Sequence, residues 1–325
     1  MRDDGKDFHF PPLTNGLDFL VSAVTFLAAE GSPVPRELKY ATLHLQCAAE
    51  TLFKARLEMY KPDLVWTKPT EYDEGKHQSG DFNSCGIKEA IKRLNALAQD
   101  GTITLSTTLD PASRDLKELG DLRNRLMHFG WRDTTVAVKT RTLPVLTLLF
   151  DFVNHDVLPY TADWEAARQM DEVRGQLKHL TDFVTQRQKS ISGQLAGHEH
   201  STTACRSCGQ YAVVLDGGAR DLKCFFCDKA YGTGDEAAWE FTGENRHITI
   251  KQGGNDLATC PACAASAIVP VRTLGYPAAD SYICFGCGSD WEGICEWCGN
   301  DRLSPAIVPE SDMCDECYDI RLANF

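Results

Sequence analysis

No apolar run in the 325 residues approaches the roughly 18–20 that a membrane-spanning helix needs. The best stretch, Phe19 to Ala29, is interrupted by Ser22 and Thr25. Met1-Arg-Asp-Asp-Gly-Lys has no apolar core behind it, so no secretory leader is expected. A cytoplasmic protein without a membrane partner is the resulting expectation. Positive charge is scarce too: 33 Lys and Arg stand against 46 Asp and Glu, a net charge of −13. That balance is unusual for an RNA binder. Cysteine is almost missing from the first 200 residues, where only Cys47 and Cys85 occur. What is present excludes a mainly disordered chain, since 43% of residues are hydrophobic. The length suits two domains.

The other twelve of the 14 cysteines all lie beyond residue 200. They form six CxxC pairs: Cys205/Cys208, Cys224/Cys227, Cys260/Cys263, Cys284/Cys287, Cys295/Cys298 and Cys314/Cys317. A structural zinc site takes four ligands in a tetrahedron, and one CxxC turn supplies two of them. Six turns therefore suffice for three four-cysteine sites. Joining neighbours leaves 15, 20 and 15 residues between partners, comfortable lengths for a zinc-ribbon hairpin. Gly209, Gly288 and Gly299 each follow a pair directly, where the backbone must turn under the metal. Tyr211-Ala-Val-Val-Leu and Ala267-Ile-Val-Pro-Val are the expected strands. A disulfide framework suits neither the CxxC spacing nor a reducing compartment, and redox activity of one pair would leave five unexplained. The pairing stays open. Seven residues separate Cys287 from Cys295, so those turns could share an ion, and a cross-braced arrangement over 260–317 is the other alternative.

Ahead of the cysteines the pattern is helical. Leu38, Ala41, Leu45, Ala48 and Leu52 recur at three- and four-residue spacing on a helix expected from Pro35 to Tyr60. Further helices are expected from Asn15 as cap to before Gly31, from about Ile87 to Gly101, from Asp110 as cap to Gly130, from Pro144 to Val157, and from Thr161 or Asp163 to about Gln188. Residues 61–83 read as a connecting loop. The fold class is therefore mainly α: a helical bundle over 10–190, a linker over 191–203, and small β-rich zinc ribbons over 204–250, 255–292 and 293–325. Residues 201–325 carry 9 basic and 18 acidic groups, and each four-thiolate zinc site adds two more negative charges. Protein contact or regulation suits this acidic arm better than phosphate contact.

Arg123-Asn124-Arg125-Leu126-Met127-His128 closes the helix that ends near Gly130. Asn124 and His128 are four apart and share a helical face. Arg123 is offset from His128 by about 140° on an ideal helix, within reach of a long side chain. Arg125 either adds phosphate affinity or faces water. Glu50 and Lys54 read first as an ordinary helical ion pair, His44 as packed or solvent-facing, and Cys47 and Cys85 as spectators. His198 and His200 lie beside the first CxxC turn on a polar segment. No His/Asp/Glu triad with an open fourth position suggests a zinc hydrolase.

The stretch Leu122-Arg-Asn-Arg-Leu-Met-His-Phe resembles the Arg-Asn-x3-His form of the motif of HEPN domains. The helix from Leu38 to Leu57, with Glu50 inside an apolar run ahead of Lys-Ala-Arg-Leu, is similar to that family's long helix. The resemblance covers roughly residues 10–160. It implies an all-α, metal-independent endoribonuclease of toxin, antiviral or RNA-processing settings, with its active site at the seam of a homodimer. His128 would then be the general acid/base, Arg123 the phosphate ligand, and Asn124 the residue orienting His128 or the phosphate. RNA is the implied substrate, and the zinc ribbons would target or regulate. The competing expectation is a non-catalytic dimeric scaffold that recruits a protein or nucleic-acid partner through its ribbons.

Overall fold

The computed structural model describes residues 10–29, 33–130, 132–216, 221–254, 256–291, 293–294, 303–304, 307–308 and 313–323. It divides into two compact units, Met1–Phe183 and Val184–Phe325. The described residues are mostly helical, with small antiparallel sheets confined to the C-terminal part. No helix among them is long and apolar enough to cross a membrane.

The first unit is built on the pair α1 (Pro12–Leu27) and α2 (Pro35–Tyr60). Leu17, Leu20, Val24 and Leu27 of α1 bury against Leu45, Ala48, Leu52 and Phe53 of α2. Gly16 permits the close approach, because a Cβ there would lie 2.8 Å from the Leu52 side chain. Asn15 is not the cap of α1: two prolines, Pro11 at the cap and Pro12 at the first position, start the helix four residues earlier. The segment 61–86 contains a short helix, α3 (Glu74–Ser79), as well as turns. Arg93 of α4 (Ile87–Gln99) holds it by donating to the carbonyls of Leu64 and Trp66, both at 2.6 Å, and of Thr67 at 3.1 Å.

Helix α5 (Arg114–His128) begins later than its sequence suggests. The Ser113 hydroxyl caps it by accepting from the Leu116 amide at 3.3 Å, while Asp110 spends its carboxylate on the Ala112 amide of the preceding turn. The helix over residues around Pro144 also differs. It is α6 (Thr135–Phe152), capped by Thr134, and it runs through Pro144 rather than starting there. Leu143, Val145, Leu146 and Leu149 are buried around the proline, so packing outweighs the lost backbone bond. A π turn, Val153–Val157, follows and brings in Asp156, fully buried. Its two oxygens accept the amides of Ser106 and Thr107 at 2.5 and 3.0 Å, tying the loop before α5 to the end of α6.

The expected long sixth helix is two, α7 (Trp164–Leu177) and α8 (Thr181–Leu195), separated by a turn in which Leu180 donates to the Leu177 carbonyl. Ile191 to Leu195, expected within the linker, continue α8.

The second unit contains two copies of one small module. In the first, β1 (Thr202–Ala204) pairs with β2 (Tyr211–Val214), and β3 (Leu222–Lys223) with β4 (Ala230–Gly232). In the second, β5 (Ala258–Thr259), β6 (Ser266–Val271), β7 (Ser281–Cys284) and β8 (Asp290–Trp291) form one antiparallel sheet in that order. Helix α9 (Gly234–Thr242) lies between the copies and sets Phe241 on Phe285, ring centroids 4.8 Å apart. Short hairpins pair Gly293–Ile294 with Leu303–Ser304 and Ile307–Val308 with Met313–Cys314.

Candidate active site and metal centres

The last two turns of α5 carry Arg123, Asn124 and His128. Arg123 is half-buried, and its Nη1 donates to Asn124 Oδ1 at 2.9 Å. Asn124 and His128 are exposed. The helix closes as its composition requires: Gly130 takes φ +80 and donates to the Arg125 carbonyl at 3.0 Å. Beside the motif, Met127 and Phe129 face solvent, Phe129 with 96% of its surface free. Arg125 lines a cavity of about 270 Å³ with Arg114, Glu118, Asp121, Leu122 and Arg141.

Helix α2 faces this region. Burial pushes the Cys47 thiol up from its ordinary value, while the Arg123 cation opposes that shift and the Glu50 carboxylate adds to it. Cys47 thus feels the charge of the α5 arginine as well as that of the glutamate on its own helix. Glu50 itself accepts from Lys54 Nζ at 2.6 Å, the expected helical pair, and Lys54 also donates to Ser84 at 2.8 Å. His44 is packed among Phe19, Phe26 and Tyr40 and bonds Ser22 Oγ at 2.7 Å.

One constellation went unnoticed in the sequence. Trp66 Nε1 donates to His77 Nδ1 at 3.1 Å, which leaves the proton of neutral His77 on Nε2, donated to Glu58 at 2.9 Å. The three residues come from α2 and from the segment beyond it, so no spacing rule joins them. Glu58 and His77 line a cavity of about 880 Å³ together with Thr51 and Lys54.

In the second unit, two four-sulfur groups are assembled: Cys205, Cys208, Cys224, Cys227 and Cys260, Cys263, Cys284, Cys287. This is the neighbour pairing expected for the first two ribbons. Sulfur separations are 3.6 Å for Cys205–Cys227 and 3.8 Å for Cys208–Cys224. They are 3.6 Å for both Cys260–Cys287 and Cys263–Cys284. A tetrahedron with metal–sulfur bonds of about 2.3 Å has edges of about 3.8 Å, so both groups fit a tetrahedral ion. No cysteine among the described residues is in a disulfide. Of the third expected site, Cys295 and Cys298 lie outside the described residues; Cys314 ends the strand Met313–Cys314, and Cys317 is buried on the helix Asp315–Ala323 that follows. His198 and His200 join neither group; His200 packs on Tyr276.

All four described turns of the two modules share one backbone pattern. The amide of the first cysteine donates five residues on, to Gln210, Lys229, Ala265 and Ser289 respectively. The residue four places on donates back to the cysteine carbonyl: Gly209, Asp228, Ala264 and Gly288. Each of these four is left-handed, at φ +72, +54, +61 and +73. The modules also match in their strands, since Phe225 donates to the Ala212 carbonyl and Phe285 to that of Ala267, both at 2.8 Å. This repeat is written in the cysteine-to-alanine spacing of the two copies.

The sulfur chemistry asks for a cation. Hydrogen bonds from Cys208, Cys224 and Cys227, then from Tyr231, pull the Cys205 thiol far below its ordinary value. The same bonds to Cys205 push the other three up. In the second group burial opposes ionisation of Cys287, but Ser289 and the Cys263 and Cys260 thiols outweigh it and bring it down to about 7. Four sulfurs packed this closely form a cluster whose protons a dication would displace. Tyr231 completes the first group: its hydroxyl accepts from the Arg206 amide at 2.9 Å and so donates to Cys205 Sγ, 3.0 Å away.

No family model, curated protein or solved structure matches the chain.

Proposed function

We propose that the chain is a metal-independent endoribonuclease of HEPN type, acting as a homodimer, with zinc ribbons that target or regulate it. The reading rests on the resemblance around Arg123-Asn-Arg-Leu-Met-His128. One observation carries it furthest. A guanidinium oriented by Asn124 and an exposed imidazole share the end of one helix, opposite the Glu50-bearing helix.

In the proposed reaction His128 takes the proton of a ribose 2′-hydroxyl as that oxygen attacks the adjacent phosphorus. A proton returned to the departing 5′-oxygen completes the step, leaving a 2′,3′-cyclic phosphate and a 5′-hydroxyl. Arg123 holds the phosphate and stabilises the charge that grows on its oxygens. Asn124 acts through Arg123, to which it is bonded, rather than through His128. The four-sulfur groups hold zinc, the borderline-soft dication that suits four thiolates and tetrahedral geometry, and they stabilise the ribbons rather than take part in cleavage. A third ion is assigned to Cys295, Cys298, Cys314 and Cys317.

The test is RNA cleavage by wild-type protein, Arg123→Ala and His128→Ala. Loss of cleavage in both variants, with fold and zinc content retained, supports the proposal; activity surviving both overturns it. The exposure of Asn124 and His128 favours one second reading, a non-catalytic scaffold whose acidic ribbons recruit a protein partner. Folded, zinc-loaded wild-type protein that never cleaves RNA would favour that alternative.

A further inference from the structure

The two modules hold their sulfurs alike but cover them differently. Cys205, Cys208, Cys224 and Cys227 are all buried. In the second group Cys263 is exposed and Cys287 is half-buried. Equivalent positions supply the reason. Phe226, fully buried, stands between Cys224 and Cys227, whereas Gly286 stands between Cys284 and Cys287. An ideal Cβ at Gly286 would already be 3.6 Å from the sulfurs of both Cys263 and Cys284, so a side chain there would cover them. The first group has a further lid in Tyr231, whose hydroxyl sits on Cys205. Four residues beyond the last cysteine, the second module carries Trp291 instead, and its indole N–H is buried without an acceptor.

We propose that the second four-cysteine centre is an oxidation site: a peroxide joins Cys263 to Cys284 and releases the bound metal, while the first centre stays closed. The proposal rests on the metal reading above. In the first step the exposed Cys263 sulfur attacks the peroxide O–O bond. An S–O bond forms, the O–O bond breaks, and hydroxide leaves, giving the sulfenic acid. The Cys284 thiolate, 3.6 Å away, then attacks that sulfur and expels a second hydroxide. Two thiolates are oxidised by two electrons, one peroxide is reduced to two hydroxides, and solvent supplies the protons that make them water. Two metal–sulfur bonds are lost in the process. Cys260 and Cys287 alone cannot complete a tetrahedral shell, so the ion departs. The consequence is a ribbon that unlatches under oxidation beside one that does not.

The experiment uses the full chain with its zinc content measured first. Hydrogen peroxide is added below one equivalent per cysteine, released zinc is read with a chromogenic chelator, and free thiols are alkylated and mapped by mass spectrometry under non-reducing conditions. The expected result is a Cys263–Cys284 cross-link with one zinc released, forming at least about tenfold faster than any oxidation at Cys205, Cys208, Cys224 or Cys227. Gly286→Ala should slow the cross-link, while Phe226→Leu should leave it unchanged. Equal or faster oxidation of the first group overturns the proposal, as does a first disulfide elsewhere in the chain. Protein that carries no zinc but still forms the Cys263–Cys284 link would refute the metal reading alone. Zinc-loaded protein that forms no such link would refute the oxidation site alone.

Discussion

Four equivalent backbone positions, occupied by different residues, make a quantitative test of the cysteine turns. Gly209, Asp228, Ala264 and Gly288 all close a turn in the left-handed region. There a Cβ crowds the following carbonyl, at a cost of roughly 1–2 kcal/mol, while glycine adds about 0.4–1 kcal/mol of unfolded-state entropy. Ala264→Gly should therefore stabilise by about 0.5–1 kcal/mol, which raises the melting temperature by roughly 2–4 °C. Gly209→Ala should lose about the same amount, because nothing lies within 4 Å of the new methyl and only the backbone resists it. Gly288→Ala should cost more than about 2 kcal/mol, since its methyl would meet the Leu215 carbonyl oxygen at 2.4 Å. Asp228→Gly should destabilise despite relieving its backbone. It removes the partner of Arg187, whose Nη2 lies 2.9 Å from Asp228 Oδ2 with both side chains only 13% exposed. The assay is thermal unfolding with free zinc fixed in excess, so that metal linkage is common to all variants. A lower melting temperature for Ala264→Gly, or a higher one for Gly209→Ala, would refute the reasoning about these turns.

Three other outcomes follow from named contacts. Tyr231→Phe removes the hydroxyl on Cys205, and competition with a zinc chelator should show affinity at the first centre lower by about tenfold or more. Asp156→Asn keeps one acceptor for the Ser106 and Thr107 amides and turns an NH2 toward the other, so urea unfolding should show a loss of roughly 2–3 kcal/mol. Burial lowers the pKa of His44 below its ordinary 6.5, against a smaller opposing effect of Asp18. The unfolded chain therefore binds the proton first, and stability is lost as pH falls from 6.5 toward the lower folded value. His44→Gln should flatten that part of the pH–stability curve; an unchanged slope would contradict the assignment.

Much of this molecule is legible from residue spacing. Helix α2 occupies Pro35–Tyr60 because its apolar period, its proline start and Pro62 beyond its end all agree. The two cysteine groups follow from CxxC spacing, because a turn fixes two sulfurs and only a hairpin length must be guessed. The departures arise where tertiary packing overrides local signals. Pro144 looks like a helix start, yet Leu143, Val145 and Leu146 bury around it and the helix runs through. The break between α7 and α8 lacks a proline or glycine to announce it. At the candidate active site the shared helix end was legible, whereas the Arg123–Asn124 bond depends on rotamers that spacing cannot specify. The unequal cover of the two metal groups is visible in hindsight as Phe226 against Gly286, but only after the structure shows those residues to be equivalent.

The chemistry of the cleaved RNA ends tests the central proposal most directly. Total RNA is incubated with zinc-loaded protein in the presence of a divalent-metal chelator, and the 3′ ends are characterised for wild type and His128→Ala. The account predicts 2′,3′-cyclic phosphate ends from the wild type, undiminished by the chelator over the time the ribbons stay folded, and none from His128→Ala. Ends bearing a 3′-hydroxyl, or equal cleavage by His128→Ala, would contradict it.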